Sequence, residues 1–275
     1  MKKIGVIGII GFLSYGCNPV PEVVSDNYVI EAYLFAGEPA RNISIKTLVP
    51  LSKPEGQSVS IANANVLLKK GGKSFTLEYN SGTNKYRYSG NDLEILPQEV
   101  VNLEVEVNGR VATASTSVPT PPIHIRSSKP QMVIPTIKSG ADFLTGNPLA
   151  DAEILVHWSN PTNELHYTVI EFRSNLLRPI LPSDVQAVVD GILEDFAIIT
   201  TPSTDTTLIV NGALLPSYGP YMIKIYKVNQ EYADLYESEE QDSRDLNEPP
   251  SNIINARGIF SAFASDSIAF EVVKP

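Results

Sequence analysis

The chain has 275 residues, 43% hydrophobic and 19% charged, with 21 basic side chains against 31 acidic ones and a formal charge of −10. That balance argues against a nucleic-acid partner, which needs clustered Lys and Arg to displace counterions, and a lone cysteine, Cys17, excludes an internal disulfide. The length is enough for two domains, each with its own core.

The N-terminus sets the location. Lys2 and Lys3, the apolar run from Ile4 to Leu13 and the exit Ser14-Tyr15-Gly16-Cys17 read as a secretory signal peptide over residues 1–16. About ten apolar residues are too few for the roughly twenty that span a bilayer as a helix, so cleavage is expected. Cleavage leaves 259 of the 275 residues and, with two lysines gone, a charge of −12. Cysteine after a small residue at the end of such a run resembles the lipobox of bacterial lipoproteins. That resemblance implies an acylated, palmitate-bearing Cys17 as the first mature residue, with two or more chains giving stable attachment. An acidic protein gains nothing from an anionic membrane surface, so the lipid must supply the anchoring.

Residues 17–27 are polar, contain Pro19 and Pro21, and read as a tether. Short Val-, Ile-, Thr- and Tyr-rich runs follow, separated by Gly, Pro, Asn and Ser, the pattern of an antiparallel sandwich over residues 28–118. The expected strands are Tyr28 to Phe35, Ile43 to Val49, Ala64 to Lys69, Ser74 to Tyr79, Lys85 to Tyr88, Val100 to Val107 and Val111 to Val118. Val101, Leu103, Val105 and Val107 alternate with polar residues, so one face is core and the other wet. Asn108-Gly109, Gly71-Gly72 and Ser81-Gly82 supply hairpin turns. Pro119-Thr120-Pro121-Pro122 cannot be a central strand, and residues 119–130 read as the linker to a second domain, 131–275.

In that second part Glu153 to Pro161, with Trp158, and Leu215-Pro216 followed by Tyr221 and an alternating strand to Val228 resemble the fibronectin type III pattern. The resemblance implies a core tryptophan and a tyrosine that ties a strand corner. The fold class expected is therefore mainly β: two consecutive antiparallel, immunoglobulin- or fibronectin-like sandwiches with one or two short inserted helices. One helix is expected after the capping box Ser183-Asp184-Val185-Gln186, with Val185, Val188, Val189 and Ile192 at helical spacing. A second is expected over Gln230 to Glu240, with Tyr232, Leu235 and Tyr236 on one side. Residues 237–248 are densely acidic. Asp242, Asp245, Asn247 and Glu248 offer calcium-type oxygens, but without the regular alternation and mid-loop glycine of a hand-type loop they read as a solvated charge run.

The closing stretch, Ser251-Asn252-Ile253-Ile254-Asn255-Ala256-Arg257-Gly258-Ile259-Phe260-Ser261-Ala262 before a last strand from Ser267 to Val273, together with Ala64-Asn65-Val66, carries a family resemblance. The chain is similar to a domain-of-unknown-function family of Bacteroidota outer-membrane lipoproteins encoded beside TonB-dependent receptors. That resemblance implies a lipid-anchored protein of the outer membrane, facing the cell surface, with a receptor as its neighbour, and implies no reaction.

Chemistry is sparse. His124, His157 and His166 form no His-Glu-x-x-His pair, although His157 and His166 are placed on strands expected to be neighbours. No Gly-x-Ser-x-Gly elbow is present, and Gly71-Gly72-Lys73-Ser74 lacks the earlier glycine of a phosphate loop. No metal or cofactor is expected. Tyr218, Tyr232 and Tyr236 are candidate platform residues for a peptide, glycan or siderophore-like ligand, with Asn252, Asn255 and Arg257 as candidate partner contacts. The reading is a non-catalytic accessory or ligand-capture subunit of a TonB-dependent receptor system. An adhesin-like or envelope-assembly lipoprotein is the alternative, and a hydrolase built on a carboxylate pair the weaker one.

Overall fold

The computed structural model describes residues 28–48, 58–139, 142, 149, 151–182, 197–239 and 250–275. Cys17, the tether, the helix expected near 183–192 and the acidic stretch 240–248 lie outside the described residues. Among the described residues no helix is long and apolar enough to cross a membrane.

The first half follows the sequence pattern closely. Strands β1 (Tyr28–Phe35), β2 (Asn42–Thr47), β3 (Asn65–Lys70), β4 (Lys73–Asn80), β5 (Lys85–Arg87), β6 (Val100–Val107) and β7 (Arg110–Ser117) occupy the expected runs to within one or two residues. Alternation is the cause. In β1 and β6 every second side chain is buried, because successive residues of a strand point to opposite faces. Gly71 and Gly72 both have positive φ, as do Asn108 and Gly109, so each pair closes a tight hairpin. Ser81-Gly82 differs: the turn extends to Asn84, which alone takes the positive φ, and Asn80 accepts from the amide of Gly82 through its side chain. Strand β4 pairs with β3 through Lys73 to Leu77 and with β5 through Glu78 to Asn80. It thus carries the chain from one layer to the other around a core of Ile30, Leu34, Ile43, Leu68, Tyr86, Ile95, Leu103 and Phe260.

The second half packs β8 (Ile123–Ser127), β10 (Glu153–Ser159) and β13 (Thr207–Asn211) against β11 (Leu165–Phe172), β12 (Ala197–Ile199) and β14 (Gly219–Val228). Strand β9 is Gln131–Val133. The core between them holds Met132, Ile154, Val156, Trp158, Val210, Tyr221, Ile223 and Phe270. Strand β8 lies inside the stretch expected as linker; the prolines before it stay outside any strand, and Ile123 onwards pairs with β10.

The last strand departs most from expectation. Instead of Ser267 to Val273 it runs the full length of β15 (Arg257–Val273). Its first part pairs parallel with β1 from Val29↔Arg257 to Phe35↔Phe263. Its second part pairs antiparallel with β14 from Lys227↔Ala264 to Gly219↔Val272, and its end pairs parallel with β9. The large sheet is therefore mixed, whereas the three-stranded sheet β13-β10-β8 is antiparallel. One strand serves both cores: Phe260 and Ala262 enter the first, Phe270 and Val272 the second.

Gly258 is what allows that strand to sit on β1. It lies opposite Ile30 with φ of 116°, and a Cβ there would fall 1.9 Å from the Ile30 carbonyl oxygen. No L side chain fits without moving backbone. Gly258→Ala is expected to destabilise the protein by about 3 kcal/mol, read as a lower urea midpoint; an unchanged midpoint would show that β1 and β15 separate without cost.

Candidate functional site

The closing motif turns out to be a clasp. Asn252 donates through its amide to the Phe260 carbonyl at 2.7 Å and accepts from the Phe260 amide at 2.9 Å, so its side chain acts as one more strand residue beside β15. Ile254 exchanges two backbone hydrogen bonds with Thr113 of β7, and Asn255, at φ 64°, donates to the Val111 carbonyl at 3.1 Å. Arg257 opens β15 opposite Val29. The three predicted contact residues thus sit together, with both asparagine side chains committed to holding 252–256 against β7 and β15.

The tyrosines part company. Tyr218 is 4% exposed within the second core and donates to the Pro135 carbonyl at 3.1 Å, so it is core and no part of a platform. The Tyr221 hydroxyl donates to the Ser217 carbonyl at 2.8 Å and accepts from the Ser217 amide at 3.2 Å, the corner tie that the fibronectin type III resemblance implies. Burial pushes the Tyr221 phenol up to about 12. Tyr232 and Tyr236 do meet, with ring centroids 5.6 Å apart, on α1 (Gln230–Glu239). Tyr232 docks the helix edge-on to Phe263 at 4.8 Å and to Tyr33 at 6.2 Å. Beside it Tyr167 stacks on Tyr226 at 4.8 Å and Phe35 on Phe263 at 5.0 Å. This half-buried aromatic face is the helix's seat on the sheet.

At the foot of that face the two halves leave a cleft of about 500 Å³. From the first half come Gln98, Ser117 and Val118; from the connecting segment Thr120; from the second half Asn163, Glu164, Lys227, Asn229 and Gln230. Lys227 is its electrostatic centre. Only 7% exposed, its ammonium donates to Thr120 Oγ1 at 2.8 Å and to Glu164 Oε2 at 2.5 Å, the pairing that a buried charge requires. The hydrogen bond from Lys227 holds the Glu164 carboxyl below its ordinary value. Asn229 crosses the junction, donating to Thr116 Oγ1 at 3.0 Å and to the Ser117 carbonyl at 2.8 Å. Glu231 at the start of α1 accepts from Thr116 and from Ser261. Among the described residues, Gln98 and Asn163 spend no side-chain hydrogen bond inside the fold, and both hold positive φ, 69° and 52°. The arrangement can donate and accept neutral hydrogen bonds from two sides of a polar strip.

None of these cleft residues was singled out in the sequence, since an isolated Lys, Gln or Asn carries no pattern. The histidines separate. His157 is exposed on β10 and bonds Thr207, whereas His166 is buried on β11 in the facing sheet, so they are not strand neighbours and share no site. Among the described residues no cluster of metal-ligating side chains occurs.

The structure defines a class: a mainly β protein of two packed sandwich-like halves, joined through one strand, with a polar cleft at the junction. A profile of the domain of unknown function DUF4249 matches residues 18–269, and the chain belongs to that family. No curated protein matches the chain. Among solved structures, titin domains A168–A170 align with 73% of this chain and 56% of that one, at 9% identity and a TM-score of 0.22. This chain spans little more than half of that structure, and a likeness of that size carries no argument.

The buried groups predict a pH response. Burial lowers the His166 pKa below 6.5, with Lys227 adding to the effect and the Glu164 carbonyl and carboxylate opposing it. As pH falls past 6.5 the unfolded chain takes a proton that the folded chain refuses, so stability falls with pH in that window. Glu164 acts lower: its contribution is complete above 4.5 and is lost as pH drops toward its folded value. Urea denaturation from about pH 7 to about pH 5 should show declining stability, with a shallower slope in His166→Gln; equal slopes would remove His166 from the account.

Proposed function

We propose that this protein is a non-catalytic lipoprotein, anchored through Cys17 to the outer membrane and facing the cell surface, that acts as an accessory or ligand-capturing subunit beside a TonB-dependent receptor. The observation that supports this reading most is the junction cleft. It collects carboxamides from both halves around a Lys227–Glu164 pair that is already neutralised. Uncommitted amides suit recognition of a peptide backbone or of glycan hydroxyls, which need matched donors and acceptors and no net charge. The lipid supplies the rest by confining the module near its partner, so that a modest cleft affinity is multiplied by effective concentration. The ionisable groups of the cleft are engaged with each other, an arrangement for holding and not for proton transfer.

Two comparisons test the reading. A C-terminally tagged protein, extracted from its native membrane in mild detergent, should co-purify with a TonB-dependent barrel, and Cys17→Ala should lose it. Gln98→Gly with Asn163→Gly keeps the positive φ values while removing both free amides, and should weaken that association at least about tenfold, or about 1.4 kcal/mol. Recovery of the lipidated protein without a barrel, under conditions that keep other barrel complexes intact, would overturn the receptor assignment and favour the adhesin-like alternative. Undiminished association of the double glycine variant would remove the cleft from it.

A further inference from the structure

The chain has one tryptophan, and that residue shares a second, smaller cavity with a buried histidine. The cavity, about 160 Å³, lies between the end of β10, the start of β11 and the segment that follows β12; Trp158, His166, Thr168, Thr200, Ser203 and Asp205 line it. Trp158 is 7% and His166 2% exposed. Thr201, Asp205 and Thr207 at the rim are exposed, so the cavity can be reached from solvent. Its size corresponds to about five water volumes.

The hydrogen-bond inventory here is unbalanced in an informative way. His166 Nδ1 lies 2.9 Å from the Glu164 backbone carbonyl. A carbonyl only accepts, so Nδ1 carries the proton, and in a neutral ring Nε2 is left as a lone pair. Burial disfavours the charged ring, which keeps Nε2 an acceptor. Among the described residues that acceptor has no hydrogen-bond partner, and neither has the Trp158 Nε1–H donor; both atoms are buried. Such groups are rarely left alone, because each has surrendered its bonds to water. The two rings are neighbours, with centroids 6.0 Å apart and planes tilted by 53°. Nearby, the Thr168 and Thr200 hydroxyls are hydrogen-bonded at 3.3 Å with either as the donor, and Ser203 Oγ donates to Asp205 at 2.9 Å.

These complementary orphans define what would satisfy them. A cation could fill the histidine lone pair but would leave the indole N–H unmet. An anion could accept from the indole but would face that lone pair and the Asp205 carboxylate. A neutral oxygen carrying one hydrogen does both. We propose that this cavity is a binding site for a hydroxyl group, which accepts from Trp158 Nε1–H and donates to His166 Nε2, and which is supplied by an ordered water or by a small polyol.

The lone tryptophan makes the test direct, since the indole N–H of the 15N-labelled mature protein gives a single side-chain resonance of its kind. Cross-relaxation between that proton and a long-lived water would assign the site to water. A saturable shift of the same resonance and of the tryptophan emission on adding glycerol would assign it to a polyol. Either result supports the site, and in both His166→Leu should reduce the signal at least about tenfold while His166→Gln, which restores an acceptor, recovers part of it. Absence of both signals in the wild-type protein would overturn the proposal. So would a coupling across a direct Trp158–His166 hydrogen bond, which would mean that the two groups satisfy each other. The wild-type measurement decides the matter even if His166→Leu fails to fold.

Discussion

Everything in this molecule hangs on the sharing of β15 between two sheets. A strand satisfies its backbone only through its neighbours, and here one uninterrupted segment draws those neighbours from both halves: β1 for residues 257 to 263, then β14 and β9 for residues 264 to 273. Separating the halves would strip hydrogen bonds from a strand that is buried on both sides through Ile259 to Ala264. The geometry has one tight point, Gly258 against the Ile30 carbonyl, and one guide, Asn252, whose amide meets both backbone groups of Phe260. A linker of prolines would by itself permit relative motion; the shared strand opposes it.

The same junction explains why polar chemistry gathers there. Where two apolar cores end, side chains that belong to neither can face one another, and they do so with complementary charge. Lys227 gives up most of its hydration and regains it from Glu164 and Thr120, while Glu231 and Asn229 at the start of α1 tie the helix to β7 and β15. The aromatic seat beneath Tyr232 adds offset and edge-on ring contacts, each worth about 0.5–1.5 kcal/mol beyond burial. Glu164 has two roles at once: its carboxylate steadies Lys227, and its backbone carbonyl sets the tautomer of His166. The open cleft and the smaller cavity are therefore joined by a single residue.

Much of this was legible beforehand, and unevenly. Alternation of apolar and polar residues located β6 and β14 because a period of two admits few other readings. The corner role of Tyr221 was implied by the fibronectin type III resemblance, and its hydroxyl does tie back to Ser217. The closing motif is conspicuous in the sequence, and the structure shows both of its asparagines hydrogen-bonded within the chain; a side chain that mimics a strand and one that greets a ligand look alike in one dimension. Tyr218, Tyr232 and Tyr236 were grouped by residue type, and burial divided them.

What the sequence by itself determined is the local alphabet: which runs are strands and where Asn108-Gly109 turns. These follow from steric and hydrophobic periodicities that act within a few residues. Tertiary structure alone decided that Arg257 onwards completes both halves in mixed register, that Gln98 and Lys227 line one cleft, and that His166 lies beside Trp158 while His157 does not. Those outcomes depend on register and layer order between segments far apart in the chain, where hydrogen-bond satisfaction and close packing of the whole select one arrangement that no local pattern encodes.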